Sequence, residues 1–242
     1  MLTDSRTASR LLAAFGLVAG PLLWLASTAI SPAWSDDGGE FLAEVAASPT
    51  QHLLSGAFFL IGSIVILPGL IGTAHLLRGR RVTAGQVGAY LIAIGALVAG
   101  GFSLVLSAIE VAMVDDAANR AEMIALSDRG EESTVALAGF LGTFLVGIVG
   151  GFVLLAIGLW TRRAVPVWSP LLLLAAIPAL FFLGESAAGS AVGMAIVVAA
   201  LAPVAWTVVS VTDEQWERWQ VLPERSRRWT ATADELGTAS TV

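Results

Sequence analysis

Long apolar runs, each interrupted by a short polar stretch, dominate the chain. At about 1.5 Å per residue, a helix of roughly 20 apolar residues crosses some 30 Å of hydrocarbon. Six runs approach that length, near 11–30, 53–77, 84–109, 135–160, 169–183 and 189–211. The fifth is the shortest. Ser169 followed by Pro170 predicts a helix N-cap with proline at the first helical position, and hence a fresh start after Arg162 and Arg163. Pro21, Pro68, Pro178 and Pro203 fall inside these runs, where each removes a backbone donor and favours a kink.

The polar stretches carry patterns of their own. In 36–47, Phe41, Leu42 and Val45 share one helical face opposite Glu40 and Glu44, and Pro49 follows, which predicts a short amphipathic surface helix. The stretch 116–126 reads similarly. Each precedes an apolar run, an arginine-rich turn and another run, an order that points to an internal repeat of about 83 residues. After Val211, Thr212 and Gln215 have capping-box spacing, and Trp216, Trp219 and Leu222 lead to Pro223. This predicts a short interfacial helix, with disorder beyond it. The expected organisation is a transmembrane domain over 1–211 and a cytoplasmic interfacial helix and tail over 212–242.

Composition agrees with hydrocarbon as the main solvent: 56% of the 242 residues are hydrophobic and 13% charged. The net charge of −6 conceals an asymmetry. With the N-terminus inside, Arg6, Arg10, Arg78, Arg80, Arg81, Arg162, Arg163, Arg218, Arg225, Arg227 and Arg228 are internal, and only Arg120 and Arg129 are external. That distribution predicts both termini on the cytoplasmic side, with Arg78, Arg80, Arg81, Arg162, Arg163, Arg225, Arg227 and Arg228 at the inner leaflet. Trp34, Trp160 and Trp168 fall at the span ends, where an indole prefers the headgroup level. Arg6 and Arg10 ahead of the first run, with Ser27, Thr28 and Ala29 behind, also fit a cleaved leader, but a run this long suits a retained span better. The fold class expected is all-α: a polytopic bundle of about six spans with short amphipathic helices on the outer surface.

Absent residue types narrow the chemistry. Without cysteine there is no disulfide, thiolate metal site, iron–sulfur cluster or cysteine nucleophile, and without lysine no Schiff base. Serine-hydrolase, phosphate-loop and dinucleotide signatures are not found, and one histidine among scattered carboxylates lacks metal-ligand spacing. His75 falls too far along the same predicted span from His52 to share a haem with it. No cofactor and no nucleic-acid partner is expected. Glycine pairs such as Gly16 with Gly20, Gly85 with Gly88, Gly147 with Gly151, and Gly189 with Gly193 predict close helix packing.

The polar residues near the outer end of the runs are His52, Glu110 and Glu185, the single candidate site. Were they to converge, the cluster would suit cation binding or proton exchange; otherwise each faces water or headgroups.

The segments 67–81 and 155–168, with Glu40 to Pro49 outside, resemble a loose group of uncharacterised multi-span membrane proteins common in actinobacteria. The resemblance implies a bacterial plasma membrane and carries no activity. The expected role is a non-enzymatic accessory or structural membrane protein, with the bilayer, and a membrane-protein partner or second copy, as its partners. A small-solute or ion-coupled transporter is the alternative.

Overall fold

The computed structural model describes residues 5–35, 37–78, 83–115, 122, 125, 142–184, 186–212 and 216. The described residues are mostly helical, with no strand among them. In chain order they form α1 (Ser5–Ile30), α2 (Gly38–Ala47), α3 (Pro49–Val65), α4 (Leu67–Leu76) and α5 (Thr83–Asp115). A π-helical segment (Phe144–Gly150) follows, then α6 (Gly151–Arg162), α7 (Trp168–Phe182) and α8 (Ala187–Ser210).

Five stretches are long and apolar enough to cross a membrane: Thr7–Ile30, Pro49–Leu76, Thr83–Val114, Leu145–Arg162 and Ala187–Ser210. The fifth run yields α7, whose 15 residues reach only about 22 Å. Its start differs from the sequence expectation. The helix begins at Trp168, and Ser169 does not cap it; the buried Ser169 hydroxyl instead donates to the Ala200 carbonyl at 2.7 Å. A tertiary acceptor on α8 outcompetes the local capping role.

The helices form a closed ring. Helix α1 packs on α3 and α4, these on α5, α5 on α6 and the π segment, α6 on α7, α7 on α8, and α8 returns to α1. Leu17, Leu70, Leu77, Ile92, Leu155, Leu159, Leu173 and Leu201 are fully buried within it. Phe15, Ile71, Ile94, Val105, Val146 and Phe182 point outward and are exposed. So much apolar outer surface is the pattern of a body solvated by hydrocarbon rather than water.

Two glycine seams set the spacing. Along α1, a Cβ on Gly16 would fall 2.5 Å from the Val65 carbonyl oxygen, and one on Gly20 would fall 2.6 Å from the Ile66 Cβ. Between α5 and the facing helix, Gly85 meets Gly158, Gly88 meets Gly151 and Leu155, and Gly95 meets Gly147. Small residues let backbones touch where lipid offers no hydrophobic drive for association. Pro68 acts as expected: it cannot donate to Ile64, and the chain divides at Ile66 into α3 and α4. Pro21, Pro178 and Pro203 lie within unbroken helices.

At one end, α2 forms over the stretch where an amphipathic helix was expected. The Asp37 carboxylate accepts from the Glu40 N–H at 2.9 Å, capping the helix, and Leu42 and Val45 are its buried face. Glu44 accepts the backbone N–H groups of Trp34 and Ser35 at 2.8 and 3.3 Å, closing the loop behind α1. The second expected surface helix and the tail lie outside the described residues, apart from Glu122, Ala125, Thr212 and Trp216.

Candidate functional site

His52 occupies the first turn of α3, where its N–H donates to the Ser48 carbonyl at 3.1 Å. Glu110 lies near the last turn of α5. Packing of α3 on α5 brings His52 Nε2 within 2.6 Å of Glu110 Oε2. That is at the short end of N···O hydrogen bonds. The Phe41 ring of α2 stands edge-on to the imidazole, with centroids 5.8 Å apart. Three elements therefore enclose the ring, which is only 6% exposed.

The imidazole's second nitrogen, Nδ1, is buried without a partner. A carboxylate on one ring nitrogen fixes the orientation of the other, the pattern seen wherever an imidazole is prepared to accept a proton or bind a ligand. The contact engages Nε2 and leaves Nδ1 buried without a hydrogen bond. A metal needs more donors, and among the described residues no group of three His, Asp or Glu side chains converges. Of the expected trio, two meet; Glu185 lies outside the described residues.

Below the dyad the buried polar groups are uncharged. Ser27 Oγ donates to the Ser55 carbonyl at 2.8 Å and Ser55 Oγ to the Ser27 carbonyl at 3.0 Å, a reciprocal pair joining α1 and α3. One turn deeper, Trp24 Nε1 donates to Ser63 Oγ at 3.1 Å and stacks on Phe59. Thr28 and Thr73 hydroxyls return to carbonyls of their own helices. Such bonds satisfy buried hydroxyls without creating a wet path. The sequence marks them only as hydroxyls inside apolar runs, which leaves their partners unreadable.

Basic groups gather at the opposite end. Arg10 Nη1 donates to the Val209 carbonyl at 3.5 Å, and Arg162 Nη2 donates to the Arg78 carbonyl. His75 stacks on Trp216 with centroids 4.2 Å apart, and its Nε2 lies 2.6 Å from the Trp216 carbonyl and 3.2 Å from Arg78 Nη1. Burial lowers the Arg78 pKa from the ordinary guanidinium value, and the nearby Tyr90 opposes the shift. Of the basic residues expected at the inner leaflet, Arg78, Arg162 and Arg163 share this end, whereas Arg80, Arg81, Arg225, Arg227 and Arg228 lie outside the described residues.

Comparison with known proteins gives no match: no family model, no curated protein and no solved structure is similar to the chain.

Proposed function

We propose that the chain is a six-span integral protein of a bacterial plasma membrane, with both termini cytoplasmic, acting as a non-enzymatic accessory or structural member of a larger membrane assembly. The observation that carries this reading is the uncharged interior. Every charged side chain placed among the described residues lies near an end of the bundle, and the polar side chains between the ends, such as Ser63 and Thr73, are hydroxyls bonded within the bundle. A carrier requires polar groups at the midplane between its moving parts.

Arginine placement supports counting α7 as a span. If α7 did not cross, the tail arginines 218, 225, 227 and 228 would lie on the side opposite Arg162 and Arg163, against the positive-inside bias. A helix this short crosses by thinning the bilayer around it, at a modest cost. Purification of the full chain in mild detergent is expected to recover a stoichiometric partner or a second copy; a lone monomer contradicts the assembly role.

One observation favours a second reading, an ion-coupled carrier: the contact of His52 with Glu110 at 2.6 Å. Reconstitution of Glu110→Gln in proteoliposomes tests it. A carrier loses pH-driven solute flux on that change, and unaltered flux rejects it.

A further inference from the structure

Arg163 is the one non-glycine residue with positive φ among the described residues, at φ 50°. It ends α6 in the left-handed conformation, its N–H donating to the Trp160 carbonyl at 3.2 Å. Glycine takes that conformation without strain, whereas an L side chain is held there at a cost. The exposed Arg163 guanidinium makes no hydrogen bond or ion pair among the described residues.

Arg162 beside it is half-buried. Its Nη2 is braced on the Arg78 carbonyl, no described carboxylate touches it, and its Nε is buried without a partner. Trp160, Trp168 and Trp206 are each about half exposed or more. The Thr207 hydroxyl, 3.4 Å from the Ala164 carbonyl, holds α8 at the same level. A ring of exposed indoles marks the depth at which headgroups meet hydrocarbon.

We propose that the Arg162–Arg163 turn binds a phosphate group, either that of an anionic lipid headgroup or that of a soluble phosphate ester. The open guanidinium fork of Arg163 matches phosphate oxygens in pairs, and the charge of Arg162 beside it helps offset the partial negative charge of the helix C-terminus. The inference rests on the membrane reading for the depth of the turn, but binding itself is measured without it.

The test is native mass spectrometry of the full chain in detergent, titrated with phosphatidylglycerol and with phosphatidylcholine. Phosphatidylglycerol is expected to bind preferentially, and Arg163→Gln to weaken it about fivefold, with a further loss in the Arg162→Gln/Arg163→Gln pair. Because Arg163 is exposed and Arg162 braces a turn, the single change keeps the test valid if the pair misfolds. Displacement by inorganic phosphate assigns the site to free phosphate groups; lipid binding that resists it assigns the site to the headgroup. Equal binding of the two lipids, or phosphatidylglycerol binding unchanged in Arg163→Gln, overturns the proposal. The membrane reading would survive that result if the chain still required detergent for extraction.

Discussion

His52 and Glu110, 58 positions apart, meet through Nε2 and Oε2 at 2.6 Å beneath the edge-on ring of Phe41. The contact ties the first turn of α3 to the last turns of α5, with α2 closed over it. Losing either partner strands the other in a site that is mostly buried.

Glu110→Ala is accordingly expected to destabilise the protein by about 1–3 kcal/mol, the cost of leaving a buried polar group unpaired. Glu110→Gln retains an amide oxygen for Nε2 and should cost less. Thermal unfolding in a single detergent checks the order, and equal midpoints for the two variants would contradict it.

The glycine seams predict a contrast within one helix. A Cβ at Gly88 would fall 2.7 Å from the Gly151 carbonyl oxygen, whereas one at Gly101 meets nothing within 4 Å. Gly88→Ala should therefore cost about 1–3 kcal/mol through forced separation of α5 and α6. Gly101→Ala should be neutral or stabilising by up to about 1 kcal/mol, because alanine loses less backbone entropy. The same unfolding assay compares them.

Ser27 and Ser55 exchange hydroxyl-to-carbonyl bonds across α1 and α3. Their hydroxyls also lie 3.2 Å apart, and a double-mutant cycle with Ser27→Ala and Ser55→Ala, which isolates that side-chain contact, should return a coupling of about 0.6 kcal/mol, the usual size of an interhelical polar contact in a membrane. A coupling of zero would mean the two bonds act independently.

Relief of strain gives another prediction. Arg163→Gly should raise stability in lipid-free detergent by about 1 kcal/mol, since the left-handed conformation penalises a side chain. Loss of stability instead would show that the Arg163 side chain supports the turn.

Much of this architecture is legible from the chain because apolar run length and glycine spacing are local signals. The boundaries of α1, α5 and α8 fall within a few residues of the expected runs, and Pro68 marks the break between α3 and α4. Tertiary choices were not legible. Nothing near Ser169 indicates that its hydroxyl would choose Ala200 over its own helix. The widening of Phe144–Gly150 into a π-helix has no periodic signature either. His52 and Glu110 were recognisable as polar residues at one end, but their meeting depends on how α3 crosses α5, which the intervening 57 residues do not encode locally. The stacking of Trp216 on His75 was hidden for the same reason: a capping-box turn predicts a helix, and its partner lies on α4.

Orientation in the bilayer is the central claim, and the absence of cysteine makes it directly measurable, because any introduced thiol is unique. Ala47→Cys at the end of α2 and Ala164→Cys beside the Arg162–Arg163 turn mark the two ends of the bundle. With a membrane-impermeant maleimide on intact cells, the account predicts labelling at 47, and labelling at 164 only after permeabilisation. Labelling of 164 from outside, or of both positions in intact cells, would contradict it.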